Sequence, residues 1–242
     1  TAPTPTPYER TQHGTASDTR SDDMRMIYDN ILTWNKSFDR HSLEVMAGTS
    51  ATTSVWEQLS GSRSYFSSTN NNAIPNLNGG NNGGVRGQSY GKSEWSIMSY
   101  LARVSYNYDS KYLVTANFRA DGSSKLAPGH RWGYFPSVAL AGRAIEEGFM
   151  KEQDVMSDLK IRVGYGVTGQ QDIADNDYPW MTTFSVSYPE SMYLFGDKWY
   201  SLYRPNGYDN DLKWETTKTW NAGFDYGFLN NRIYGSVDYY HR

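Results

Sequence analysis

Cysteine is absent from all 242 residues. Neither a disulfide framework nor a thiolate metal site is therefore possible, although the compartment stays open. Long apolar runs are missing too. No stretch approaches the ~18 consecutive apolar residues of a transmembrane helix, and mean hydropathy is -0.72. A helical span is excluded, but a membrane barrel is not, because its strands carry a much weaker signal. Charge of one sign is scarce. The 23 Lys and Arg nearly balance 26 Asp and Glu, for a net charge of -3. No basic block occurs, so nucleic acid is not indicated as a partner.

Catalytic patterns are equally scarce. His13, His41, His130 and His241 are far apart and share no metal-ligand spacing, so they read as solvated loop or turn residues. No Gly-x-Ser-x-Gly elbow occurs. Gly164-Tyr165-Gly166 is a fragment of a phosphate-loop pattern, but it sits in an alternating strand with no helix after it. Glu146-Glu147 reads as two solvated carboxylates at a strand end. No catalytic residue, metal site or cofactor is expected, and the chain does not read as an enzyme.

What is present is a two-residue alternation. In Tyr112 to Asp121, Tyr112, Val114, Ala116, Phe118 and Ala120 are apolar, while Thr115, Asn117, Arg119 and Asp121 are polar. Successive side chains on a strand point to opposite faces, so the segment has one greasy and one wet face. Seven further segments read as strands: 24–38, one from about His41 to Gly48, 95–108, 132–146, one around 159–167, 214–228, and one beginning at Ile233. Pro136 lies inside the fifth strand in chain order and predicts a bulge or bend there. Residues 1–23 read as loop. So does 54–93, with Asn70-Asn71-Asn72 and Gly79 to Gly84, and with room for a short helix near Val55 to Leu59.

The connections alternate between short and long. Asp39-Arg40, Asp109-Ser110 and Asn230-Asn231 are tight turns, whereas 54–93 and 169–212 are long. Outer-membrane barrels have that order, with short periplasmic turns and long extracellular loops. A sandwich with crossing connections need not. Aromatics make up 15%, including 20 Tyr and 8 Trp. Several stand near strand ends, as interfacial girdles do. The expected fold is all-β, an antiparallel transmembrane β-barrel segment of about 8 strands. The apolar face would meet membrane lipid and the polar face a lumen.

Arg103, Arg119, Arg143, Lys160 and Arg162 fall on the polar face, near Asp121, Glu44 and Asp225. They fit either contacts to a substrate or plug, or an ion-pair network on the wall. The long loops carry Trp56, Tyr65, Phe66, Trp180, Tyr188, Trp199, Tyr200, Tyr203 and Tyr208. Among these, Trp180, Trp199, Tyr200 and Tyr203 are the candidate substrate- or partner-binding residues, since planar rings stack on sugars or anchor proteins. Packing of the loops on one another is the plainer reading. The second loop mixes Asp172, Asp175, Asp177, Glu190 and Asp197 with Lys198 and Arg204, which suits a neutral glycan better than a strongly anionic one.

Several blocks closely resemble one family. They are the run Tyr112 to Ser124 (YLVTANFRADGSS), Arg131 to Ser137 (RWGYFPS), Ser157 to Gln170 (SDLKIRVGYGVTGQ), Asn206 to Thr217 (NGYDNDLKWETT) and Leu229 to Tyr240 (LNNRIYGSVDYY). In combination they resemble SusC/RagA-type TonB-linked transporters of Bacteroidota outer membranes. Residues 24–54 match more loosely, and 55–93 and 175–205 least.

The resemblance implies a 22-stranded barrel around a plug, importing oligosaccharides or peptides with a SusD-like surface lipoprotein and energy from the TonB complex. No plug or TonB-contacting segment is recognisable in residues 1–242. The chain begins Thr1-Ala2-Pro3 and ends within a strand at Arg242, so it is expected to be an internal piece holding part of the barrel domain. The alternative is a non-transporting protein, either a small eight-stranded barrel or a surface carbohydrate-binding adhesin.

Overall fold

The computed structural model describes residues 14–66, 77, 86–150, 155–172, 177–186 and 192–242. His13, Asn70 to Asn72, Gly79 to Gly84, Asp175, Tyr188 and Glu190 lie outside the described residues, as do the side chains of Tyr65 and Phe66. The strands in chain order are β1 (Gly14–Phe38), β2 (His41–Phe66), β3 (Arg86–Tyr108), β4 (Tyr112–Ser123), β5 (Trp132–Arg143) and β6 (Met156–Gln170). Four short strands follow: β7 (Phe184–Val186), β8 (Tyr193–Phe195), β9 (Lys198–Tyr200) and β10 (Tyr203–Pro205). Then come β11 (Glu215–Phe228) and β12 (Ile233–His241). Eight strands form one sheet in the order β1-β2-β3-β4-β5-β6-β11-β12. β1 and β12 are its two edges, so these strands do not close a barrel on themselves.

Two compact units divide the chain. One holds Thr1–Met26 and Thr53–Glu94, the other Ile27–Thr52 and Trp95–Arg242. The first contains the polar stretches of β1, β2 and β3. There Thr19 and Ser60 share a hydrogen bond of 2.9 Å, and Lys92 pairs with Glu57 at 3.2 Å. Ser54 and Arg63 are buried. Three expectations fail in this unit. Residues 54–66 and 86–93 are strand rather than loop, Val55 to Leu59 is not helical, and β1 begins at Gly14 inside the segment read as loop. Ser, Thr and Gly discourage strand locally, but a ladder partner on a neighbouring strand outweighs that preference.

The second unit carries the alternation, and here burial decides which face is which. On β4, Tyr112, Val114 and Phe118 are exposed while Thr115 and Asn117 are half-buried. On β6, Ile161 and Val163 are exposed while Lys160 and Arg162 are half-buried. On β11, Trp220 and Phe224 are exposed beside half-buried Asn221 and Asp225. A water-soluble sandwich would have the opposite pattern, because each large apolar side chain left in water forgoes about 1.5–3 kcal/mol. The register carries the open apolar face across the sheet, as in the row Tyr106, Val114, Leu140, Val163, Ala222, Tyr239.

Aromatic contacts gather at both strand ends. His41 lies 5.0 Å from the rings of Phe38 and Tyr108, and its Nδ1 is 2.6 Å from the Tyr106 hydroxyl. At the other end Tyr100 stacks on Trp132 at 5.8 Å and Phe118 on Tyr134 at 6.2 Å.

Asp39-Arg40, Asp109-Ser110 and Asn230-Asn231 are turns as read from the sequence. Asp39, Asp109, Ser110, Asn230 and Asn231 take positive φ, a region that Asn and Asp enter several-fold more often than most residues. The Asp109 N–H donates to the Arg40 carbonyl at 2.7 Å, so both turns share one end of the sheet. β5 ends at Arg143 and a 3-10 turn occupies Ala144–Glu146, where the sequence reads strand to Glu146. No bulge forms at Pro136. It pairs in register with Phe118, and the β5–β6 ladder starts only at Ser137, so the missing donor falls beyond that ladder. A register shift does lie at Gly227/Phe228, in the β6–β11 ladder.

Candidate functional site

The segment between β6 and β11 builds the candidate site. It folds as a hairpin within a hairpin, which the sequence read as unstructured. β7 pairs antiparallel with β10, placing Tyr203 opposite Val186. Within that pair β8 and β9 meet across Gly196-Asp197, with Leu194 opposite Trp199 and Tyr193 opposite Tyr200. Gly196 takes φ +64°, as a two-residue turn with glycine first requires. Asn206 ties the outer pair. Its N–H donates to the Thr183 carbonyl at 2.9 Å, its Nδ2 to the Thr183 hydroxyl at 2.9 Å, and the Ser185 hydroxyl donates to its Oδ1 at 2.9 Å.

The four candidate aromatics separate into two groups. Trp199, Tyr200 and Tyr203 are 63%, 51% and 68% exposed, on or beside the inner hairpin. Tyr193 and Phe195 are exposed with them, and Phe195 meets Tyr200 edge-on at 6.4 Å. Trp199 and Tyr200 are neighbours on one strand and so present opposite faces of the ribbon. Trp180 is different. It is half-buried, meets Tyr178 edge-on at 6.3 Å, and its Nε1 has no hydrogen-bond partner among the described residues. It belongs to the base of the loop, not to its exposed ribbon.

That base is pinned by residues the sequence reading did not single out. Leu126 and Ala127, in the β4–β5 connection, are fully buried, and the Ala127 N–H donates to the Leu212 carbonyl at 3.1 Å. Trp214 Nε1 donates to the Arg131 carbonyl at 2.9 Å and meets Phe135 edge-on at 5.2 Å. Phe135 sits opposite Arg119, on the polar face. An aromatic out of phase with the alternation was the available signal.

Lys125 joins the two connections. Its ammonium is 2.6 Å from Asp172 and 2.8 Å from Asp177, and it lies 4.8 Å over the Trp95 ring. Partial burial lowers the Lys125 pKa, but hydrogen bonds to Asp172 and Asp177 and their charges outweigh it, so the pKa stands above the ordinary lysine value.

On the polar face of the strands, Arg119 pairs with Asp121 at 2.7 Å, and Arg162 with Asp225 at 2.7 Å and Asp238 at 3.1 Å. Arg143 reaches Asp158 at 3.5 Å and Glu146 at 4.0 Å. For these three arginines the wall-network reading holds. Asp121 and Asp225 are partners as read from the sequence, whereas Glu44 forms none of these pairs. Among the described residues no group of three or more His, Asp or Glu could hold a metal ion.

Comparison with known proteins identifies this architecture. Residues 2–242 match the family described as TonB dependent receptor-like, beta-barrel. The chain is 47% identical over 147 residues to the TonB-dependent receptor SusC of Bacteroides thetaiotaomicron, covering 61% of this chain and 15% of that protein. It is 35% identical over 216 residues to the TonB-dependent receptor P3 of Formosa agariphila, covering 88% and 21%. The chain thus spans about a fifth or less of these relatives. Its fold superposes on a chain of the RagAB peptide transporter with a TM-score of 0.81 at 24% identity, over 97% of this chain and 25% of that one.

Proposed function

From the premise that this chain belongs to the TonB dependent receptor-like β-barrel family of the outer membrane, we propose that it forms one sector of the wall of an importer for bulky nutrients. The observation that carries this reading is the sidedness of the sheet: open apolar rows outside, half-buried polar rows inside. A wall with a wet inner face suits passage of a polar solute. The remaining strands, a lumen-filling plug and the TonB contact belong to the rest of the protein.

The solute is an oligosaccharide or a peptide, with the oligosaccharide favoured. Trp199, Tyr200 and Tyr203 contact it directly or hold a SusD-like lipoprotein over the mouth, and Trp180 supports them from below. Exposed rings on a ribbon of both-sided aromatic character support this, since planar faces stack on sugars and anchor protein partners. The test is a triple alanine variant at Trp199, Tyr200 and Tyr203 in the complete protein. Growth on the cognate nutrient and retention of the lipoprotein are both measured. Loss of either supports the reading, and normal values for both would leave loop packing as the role of these rings.

A further inference from the structure

Arg103 behaves unlike its neighbours on the polar face. Arg119, Arg143 and Arg162 each meet at least one carboxylate. Arg103 meets none among the described residues. Its Nε donates to Asn117 Oδ1 at 2.7 Å, and Asn117 Nδ2 donates in turn to the Ser137 hydroxyl at 3.1 Å. This relay crosses three strands, with Arg103, Asn117 and Ser137 in one register row. The carboxamide is thereby held with its oxygen toward the guanidinium, and the guanidinium is held in one orientation. Nε is one of five donors on the group. The terminal N–H fork remains.

Beside it is a cavity of about 440 Å³, lined by Met46, Arg103, Asn117, Arg119, Phe135 and Ser137 among others. The charge there does not cancel. Arg119 is neutralised by Asp121, which is 7% exposed and accepts from its Nε at 2.7 and 2.8 Å. Arg119 Nη2 is further committed to the Ser99 hydroxyl at 3.1 Å. Among the described residues Arg103 therefore leaves one uncompensated positive charge at the cavity. A planar fork of N–H donors matches a carboxylate with two parallel hydrogen bonds. Fixing the fork beforehand lowers what binding must spend on ordering it.

We propose that Arg103, oriented by Asn117 and Ser137, is a carboxylate-binding point on the lumen wall. This rests on the wall reading above and extends it by naming a chemical group. The carboxylate has two possible sources. One is a solute in the lumen, such as an acidic peptide or a uronate sugar. The other is an acidic side chain from elsewhere in the complete protein.

The test uses the complete protein in detergent: wild type, Arg103→Gln, Arg103→Lys and Asn117→Asp. Asn117→Asp leaves Arg103 in place but gives it an internal carboxylate, so it controls for misfolding of Arg103→Gln. Binding of triglutamate, trigalacturonate and neutral maltotriose is measured, along with thermal midpoints without probe. With a solute source, at least one acidic probe binds about tenfold more weakly to Arg103→Gln and to Asn117→Asp. Arg103→Lys retains part of that affinity and maltotriose is unaffected. With a source in the chain, no acidic probe discriminates, but Arg103→Gln lowers the thermal midpoint and Arg103→Lys restores it. The proposal is overturned if no acidic probe discriminates and all midpoints agree. Import and lipoprotein retention by the loop variants are separate readouts, so failure here leaves the wall reading standing.

Discussion

Replacing Val163 with arginine tests the sidedness on which the functional reading depends. Val163 is the eighth of the 15 residues of β6, is 46% exposed, and lies between Leu140 and Ala222 across the neighbouring strands. A strand rising ~3.3 Å per residue and tilted by ~45° climbs about 2.3 Å per residue along the membrane normal. An apolar band ~25 Å tall then takes about 11 residues, which places Val163 close to the middle. A guanidinium on the lipid side at that depth costs about 2–4 kcal/mol, or roughly 30- to 1000-fold in the folding equilibrium.

Thr115→Arg is the matched control. Thr115 is half-buried on the other face, between Ser105 and Ala139, and that face already accommodates Arg103 and Arg162. Its expected cost is under about 1 kcal/mol. Urea titration of the complete protein in lipid vesicles measures both variants. If Val163→Arg is as stable as wild type, or Thr115→Arg is the worse of the two, the faces are assigned the wrong way round.

Gly169→Ala should destabilise by about 1–3 kcal/mol, because a Cβ there would overlap the Phe135 ring and come within 3.0 Å of Trp214; a lower thermal midpoint, relieved by adding Phe135→Leu, is the expected signature. Lys125→Met should release the base of the surface loop, giving several-fold faster chymotrypsin cleavage between 178 and 212 at neutral pH. Since the Lys125 pKa is raised, its contribution is complete below the ordinary lysine value and fades only as pH rises through the raised one. Near-UV dichroism of wild type should accordingly hold through neutral pH, and a loss of signal near neutrality that Lys125→Met abolishes would contradict this. A tag near Gly129 should be labelled on intact cells and one near Asp109 should not; the converse would invert the topology.

Local backbone geometry was legible in the residues themselves. Period-two alternation depends only on successive side chains pointing to opposite faces, so the strands of the second unit and their polar rows could be read directly. Tight turns at Asp109-Ser110 and Asn230-Asn231 were legible for the same reason, since Asp and Asn tolerate the positive φ they adopt. Recurrent blocks such as Ser157 to Gln170 carried the family. Three things waited for the tertiary structure. Strand pairing extended β2 to Phe66 and started β3 at Arg86 through residues with little strand preference of their own. Burial decided that the apolar face is the open one, which alternation alone leaves undetermined. Charge partnership was the third. Arg162 finds Asp225 from 63 residues away, while Arg103 finds only Asn117 among the described residues. Alternation is set by each residue's own backbone, but ladders, burial and ion pairs are set by residues far apart in the chain, and only the folded sheet brings those together.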